Sequence, residues 1–365
     1  MPAADMPRPF GADASFWRNR RVLLTGHTGF KGAWLALWLE HLGASVTGLS
    51  LPPESPDGIY GAIGTWDGLD ARMVDLRDAD GVARVVADAD PEVVLHLAAQ
   101  ALVRRGYADP VGTYDVNVMG TAHVLRAVQR ASSVQAIVVV TSDKVYANDG
   151  AGRPFIESDP LGHGDPYSNS KACAELLVAS WRTSFLGPRG IPVATARAGN
   201  VVGGGDVAAD RLLPDAFRAL AAADVLRLRN PDAVRPWQHV LEPLSGYLLL
   251  AQRLATGELA PEAVNFGPDD DSCRSVSEVV QRVFDLTGTG TWEPDGGAQP
   301  PEASLLRLDS SLAHRRLGWR PRLDLAGTLA WTVDWWRAQV EGSDMRAFSL
   351  AQIAAYEELI GNGVG

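Results

Sequence analysis

Cysteine is nearly absent from this 365-residue chain: Cys173 and Cys273 are the only two. A disulfide framework and a cysteine zinc site are therefore both excluded. A basic tract is missing as well; the formal net charge is -11, with the acidic balance spread along the chain. Nucleic-acid binding needs many phosphate-neutralising side chains and is disfavoured. Long apolar runs are also lacking. One of the longest, the six residues from Trp34 to Leu39, falls far short of a membrane span. Residues 1–14 are Pro-rich and polar with no apolar core, so a signal peptide is not expected and the cytoplasm is the expected location. Both chain ends are expected to fray.

What is present points to a packed interior. The chain is 46% hydrophobic and 21% charged, and its length suits two lobes or one large α/β domain. From Arg21 onward, short β-branched runs alternate with helical stretches. Strands are predicted over residues 21–25, 44–51, 92–97, 136–141 and 191–197, with helices from the glycine-rich turn after the first strand to about His41 and over about 112–130 and 167–185. Trp34 and Trp38, four apart, read as helix packing. Repeated β-α-β units predict a doubly wound parallel Rossmann-type sheet with helices on both faces. After Gly199 the character changes. Residues 203–205 read as a loop, 211–223 as a helix, 231–236 as a break and 265–268 as a turn. From Ser275 the pattern is mostly helical and holds Trp292, Trp319, Trp331, Trp335 and Trp336. The expected organisation is a cofactor domain of residues 1–199 with about 236–264, and a smaller, mainly helical C-terminal substrate-binding lobe of 200–235 and 265–365.

Gly26-His27-Thr28-Gly29-Phe30-Lys31-Gly32 lies between the first strand and a helix. Glycines at this spacing let the backbone turn tightly and approach a pyrophosphate, with free N–H groups and the helix dipole facing the anion. Gly26, Thr28, Gly29, Phe30, Lys31 and Gly32 are thus candidate cofactor residues. The end of the second strand carries neither an acid for a ribose diol nor an Arg for a 2′-phosphate. Ser50 can supply one weaker hydrogen bond there, so NAD is favoured while NADP stays open. Asp75, followed by Leu76, is placed either to accept from an adenine amino group or to cap a turn.

Tyr167 and Lys171 stand at i and i+4, one above the other on a helix that Pro166 is suited to start. A free phenol, with a pKa of about 10, is a poor base at neutral pH, and a neighbouring ammonium favours the phenolate. The strand over 136–141 ends in Thr141-Ser142-Asp143-Lys144, at the sheet edge where open α/β folds bind ligands. A hydroxyl, a carboxyl and an amine thus stand beside the Tyr, although such a run can also merely terminate a strand.

Taken together, the glycine turn, His96-Leu97-Ala98-Ala99-Gln100, Asn117, Thr141–Lys144 and the Tyr167/Lys171 pair resemble the extended short-chain dehydrogenase/reductases. Within them, G-H-T-G-F-K-G, the T-S-D-K strand end, A-R-A-G-N-V-V-G-G-G-D (Ala196 to Asp206) and R-P-W-Q-H-V-L-E-P (Arg235 to Pro243) resemble the CDP-glucose 4,6-dehydratases. The resemblance runs from about Trp17 to at least Pro268. Val145 departs from it, since a small Cys is expected there; this implies a packing change. The ordinary sugar-nucleotide dehydratases carry a Glu where Lys144 stands.

The resemblance implies a nucleotide-sugar substrate and an NAD that is reduced and reoxidised within one turnover. Leu97, Ala98, Ala99 and Asn117 would join the cofactor site. Tyr167 would take the 4-hydroxyl proton, with Ser142 or else Thr141 on the same oxygen. Asp143 would protonate the leaving 6-hydroxyl, and Lys144, if neutral, would remove the C5 proton. Asn200, Arg211, Arg235 and His239 are the candidate substrate residues, while Glu242 shares their string without an assigned role. His27 and His96 read as packing residues, and no His/acid spacing suggests a metal. A 4-epimerase, a dehydratase for another base and a non-catalytic NAD-binding scaffold are the alternatives. An epimerase has no need of Asp143 with Lys144, and a scaffold has no use for an activated phenol. In the family it resembles, helices such as those over 112–130 and 167–185, with Val124, Leu125, Leu176 and Leu177, commonly pair across a two-fold axis, which implies a homodimer, or a homotetramer; burial of these residues inside the monomer is the alternative.

Overall fold

The computed structural model describes residues 13–148, 150, 152–258, 262–297 and 306–362. Of the ends expected to fray, residues 1 to about 14 and the last few, residues 1–12 and 363–365 lie outside these, while Asp13 caps a short helix that starts at Ala14. Seven parallel strands build one sheet: β1 (Arg21–Thr25), β2 (Ser45–Ser50), β3 (Leu69–Met73), β4 (Val93–His96), β5 (Ala136–Val140), β6 (Val193–Ala198) and β7 (Ala263–Phe266). Their spatial order is β7-β6-β5-β4-β1-β2-β3. The order reverses between β1 and β4, which opens a crevice at the C-terminal ends of those strands.

Burial on both faces explains why the central strands read as unbroken apolar runs. All five residues of β5 are buried. In β1, Val22 and Leu24 join one core and Leu23 the other. Two strands differ from the sequence reading. β3 is an edge strand with four of its five residues exposed, so it carries no apolar signal. Residues 265–268 were expected to turn, yet Asn265 and Phe266 end β7, paired with Arg197 and Ala198 of β6. The buried Asn265 amide is satisfied there, accepting from the Tyr146 hydroxyl and donating to Phe155 O.

The main helices are α1 (Phe30–His41), α2 (Ala79–Ala89), α3 (residues 110–130, with a π-helical turn at Asp115–Met119), α4 (Pro166–Trp181) and α5 (Leu212–Ala222). They continue with α6 (Leu241–Ala255), α7 (Val276–Thr287), α8 (Leu325–Val340) and α9 (Met345–Asn362). Val82, Val86, Val124, Leu125, Val128 and Val178 of α2, α3 and α4 cover one face of the sheet. Trp34, Trp38, Leu244, Leu248 and Tyr356 of α1, α6 and α9 cover the other. Helix α1 is buried without a break from Gly32 to Leu39. Its two indoles are satisfied, Trp34 by Gly204 O at 2.9 Å and Trp38 by Glu357 at 2.7 Å.

A third core lies beyond the sheet. Leu213 and Ala216 of α5, Val279 and Val283 of α7 and Leu329 and Val333 of α8 pack there with Leu226 and Leu228. Helix α9 does not join it; Tyr356 packs edge-on against Trp38 of α1, with ring centroids 5.7 Å apart. Among the described residues, no helix is long and apolar enough to cross a membrane.

Candidate active site

The glycine turn lies flush against the loop that follows β4. Gly26 has φ +80°, and a Cβ there would fall 2.8 Å from Ala98 N. At Gly32 a Cβ would fall 1.9 Å from Gly26 O, whereas Gly29 has nothing nearer than 3.4 Å. The turn thus presents side-chain-free backbone at the start of α1, a cradle that fits a pyrophosphate. Gly32→Ala should force the turn apart, and equilibrium dialysis of NAD should show a loss of affinity of about tenfold or more.

Thr28 Oγ1 donates to Leu51 O at 2.8 Å, so Ser50 is the donor in the 2.7 Å Thr28–Ser50 hydroxyl pair. Ser50 keeps lone pairs for a ribose hydroxyl. Asp75 accepts from the Arg77 backbone N–H at 2.9 Å and pairs with its guanidinium at 2.6 Å. Arg77 holds that carboxyl below its usual range. Leu76 is buried under Gly120. His96 bonds Thr25 and Thr121, and burial lowers its pKa to about 3. His27, packed against Gly48, falls to about 4, also by burial. Neither ring is suited to act as a base near neutrality. Asn117, on the π-helical turn of α3, donates to Gln100 O and Ser170 Oγ and accepts from Gln100 N. Its amide donors are spent on joining the loop after β4, which carries Leu97, Ala98 and Ala99, to α4.

Asp165 caps α4, accepting from Ser168 N at 2.9 Å and facing His163 Nδ1 at 3.0 Å. Burial works against that charge, but the bonds from His163 and Ser168 hold its pKa at about 2. Tyr167, the second residue of the helix, is buried beside Ser142; burial raises its pKa and the Ser142 hydroxyl lowers it. Lys171 donates to Val140 O at 3.0 Å. Burial lowers its pKa to about 8, opposed by Glu175. Ser142 Oγ donates to Asp143 at 3.1 Å. Asp143 Oδ2 is buried without a hydrogen-bond partner. Burial raises the Asp143 pKa, against the pull of Lys144, Ser142, Arg235 and Lys31. A carboxyl favoured in its neutral form can donate a proton. Thr141, the alternative to Ser142, donates its hydroxyl to Glu175 at 2.5 Å and is engaged below the site.

Lys31 was read from its place in the cofactor turn, and the structure brings it further. Its ammonium reaches the Tyr247 hydroxyl at 3.5 Å. Burial, then Arg211 and Lys171, lower its pKa to about 7, with Asp143 opposing. Only three of the 33 basic side chains are lysine: Lys31, Lys144 and Lys171. All three meet at this sheet edge, a signal available from the sequence by counting.

Of the expected substrate residues, Arg235 is buried and its charge is felt at Asp143. Arg211 pairs with Asp206 at 2.9 Å and acts on Tyr167 and Lys31. Asn200 is half-buried just beyond β6, and its carbonyl accepts from Gln238 N. His239 is different. It is fully buried between Trp34 and Trp331, and burial lowers its pKa to about 3. Glu242 accepts from Arg322 N, Leu323 N and the Tyr356 hydroxyl, so it fastens the C-terminal segment to α6. Among the described residues, no group of His, Cys, Asp and Glu could hold a metal.

Residues 22–267 match the profile of the NAD dependent epimerase/dehydratase family. The chain is 44% identical over 351 residues to a CDP-glucose 4,6-dehydratase of Salmonella typhimurium, covering 94% of this chain and 98% of that protein. The structure of a dTDP-glucose 4,6-dehydratase from Streptomyces venezuelae, with NAD bound, superposes with a TM-score of 0.76 at 26% identity. That match covers 89% of this chain and 99% of the other. A UDP-glucose 4-epimerase of Stenotrophomonas maltophila, also with NAD, gives 0.76 at 25% identity over 89% of this chain and 100% of the other.

Proposed function

The chain belongs to the NAD dependent epimerase/dehydratase family, and on that premise we propose that it converts CDP-D-glucose to CDP-4-keto-6-deoxy-D-glucose. The observation that carries this reading is the 44% identity, over nearly the whole chain, to a CDP-glucose 4,6-dehydratase. Asp143 supports it chemically: elimination needs an acid for the departing hydroxyl, and an epimerase does not. Incubation with CDP-, dTDP-, GDP- and UDP-glucose tests it. CDP-glucose should give the alkaline absorbance of a 4-keto-6-deoxy sugar with the highest kcat/KM. Turnover of another base in its place would overturn the assignment.

Gly26, Gly29 and Gly32 would hold NAD, which would supply a hydride acceptor for C4 and a donor for C6. Tyr167 removes the 4-hydroxyl proton, and Ser142 hydrogen-bonds the same oxygen. Lys171, one helical turn on, favours the phenolate by its charge. With C4 a ketone, the C5 hydrogen becomes acidic; the neutral form of Lys144 takes it while Asp143 gives its proton to the leaving 6-hydroxyl. Arg235, Arg211 and Asn200 hold the diphosphate side of the substrate, since Arg forks match phosphate oxygens. Lys144→Ala should slow overall turnover by about a hundredfold yet leave 4-oxidation, read as the near-ultraviolet absorbance of reduced nicotinamide. Full turnover by that variant would remove Lys144 from the mechanism.

The sheet with α6 and β7 forms the cofactor domain in this reading, and the third core forms the substrate lobe. Val124 and Leu125, expected at a subunit contact, are buried within the protomer. The exposed apolar residues of α3 and α4 are Val111, Met119 and Leu176, and a two-fold dimer would cover them. Two free cysteines and no membrane-crossing helix among the described residues suit a cytoplasmic enzyme.

A further inference from the structure

Tyr167, Lys171 and Glu175 stand at i, i+4 and i+8 of α4 and so share one helix face; all three are buried. The Glu175 carboxylate accepts four hydrogen bonds. Oε1 takes Thr141 Oγ1 at 2.5 Å and Arg197 Nε at 2.8 Å. Oε2 takes Thr195 Oγ1 at 2.7 Å and Arg197 Nη2 at 2.9 Å. Arg197 passes the network on to the Tyr146 hydroxyl at 2.8 Å and Glu157 O at 3.1 Å, and Tyr146 bonds Asn265 at 2.6 Å. One carboxylate thereby ties the ends of β5, β6 and β7 to the helix that carries Tyr167.

A bidentate ion pair with Arg197 would by itself be ordinary packing. Two further facts point to the site. Glu175 lies one helical turn from Lys171, and it is the group whose charge opposes the effect of burial there. It also captures the Thr141 hydroxyl, which leaves Ser142 as the strand-end hydroxyl that acts on Tyr167.

We propose that Glu175 is a positioning residue of this site: its ionised carboxyl keeps Lys171 an ammonium and fixes the strand end that bears Ser142 and Asp143. The inference rests on the roles given above to Tyr167 and Lys171. The other groups facing Lys171 do not supply the missing negative charge. His96, from β4, is kept neutral by burial. Lys31, from α1, can only repel it. Tyr167 is itself the group to be ionised. Around Glu175 stand Arg197 from β6 and Arg182 beyond the end of α4, both cationic. Loss of Glu175 therefore leaves Lys171 with burial and repulsion alone, and both act to neutralise it.

The three-lysine composition makes a direct test feasible. Lysine labelled with ¹³C and ¹⁵N at the side-chain end gives three side-chain signals in the full chain, assigned by single Lys→Arg variants. In Glu175→Gln the Lys171 midpoint should fall by about one pH unit or more. A second variant, Glu175→Met with Arg197→Met, removes the buried pair together and so avoids an orphaned charge; it should show a fall in the same direction, smaller because the Arg197 charge leaves with the carboxylate. Thr141→Val, which keeps the carboxylate, should leave the midpoint in place. A Lys171 signal that titrates as in the wild type in the folded Glu175 variants overturns the proposal.

The alkaline limb of kcat/KM on CDP-glucose should move to lower pH by the same interval. A limb that stays put while the Lys171 midpoint falls also overturns it. Should the wild type leave CDP-glucose untouched, the substrate reading fails and the titration alone decides the role of Glu175.

Discussion

Tyr167→Phe should lower kcat by about a thousandfold while binding CDP-glucose and NAD within a few-fold of the wild type. The phenol is the group placed to take the first proton, and every later step depends on the 4-ketone. Removing its hydroxyl leaves the ring packing of a buried residue intact. Reduced nicotinamide should therefore not accumulate on mixing. A variant that still forms it at near wild-type rate would assign the first proton transfer to another group.

Asp143→Asn has an opposite pair of consequences. The amide keeps the shape of the carboxyl but cannot give up an acidic proton, so elimination should fall by about a hundredfold or more. Oxidation at C4 should persist, and reduced nicotinamide should build up after substrate is added. Stability should move the other way. Burial raises the Asp143 pKa in the folded protein, so the folded state binds that proton more tightly than the unfolded one. Its ionisation therefore costs stability above the unfolded carboxyl pKa of about 4. Asp143→Asn removes that cost, and its Tm should exceed the wild-type Tm near neutral pH. The gain should shrink as pH falls through the unfolded carboxyl value and vanish below it, where the wild-type group is protonated in both states. A Tm difference independent of pH would place Asp143 in a less desolvated setting than its burial indicates.

The parts of this site that can be read from sequence are those in which spacing is chemistry. Gly26, Gly29 and Gly32 between a strand and a helix, and Tyr167 with Lys171 four residues on, need no neighbours to be recognised. Ser142 and Thr141 are another matter. Two adjacent hydroxyls at a strand end look equivalent until the partner of one is known, and here Glu175 holds Thr141. Glu175 lies eight residues after Tyr167, at helical spacing, but a mid-helix Glu ordinarily reads as a solvated face. Only the fold brings Arg197 and Thr195 of β6 against it.

The strands that escaped notice failed for separate physical reasons. β3 lies at an edge and exposes most of its residues, so no apolar pattern marks it. β7 ends in Asn265-Phe266 and runs into Gly267-Pro268, a turn-like composition that pairing with β6 and the Asn265 hydrogen bonds override for the first two. His239 has surroundings its string does not reveal. Its string suggested the substrate, while its ring is enclosed by Trp34 and Trp331. Lys31 sits in a turn read for its glycines, and its reach to Tyr247 depends on α6, more than two hundred residues later in the chain.

The central claim is a hydride taken from C4 and returned to C6 of the same sugar, with water lost between. CDP-glucose carrying deuterium at C4 tests it in a single product analysis. The deuterium should appear at C6 of a 4-keto-6-deoxy product, with one solvent-derived hydrogen at C5. Deuterium retained at C4 of an unreduced hexose, or a product that keeps its 6-hydroxyl, would contradict it.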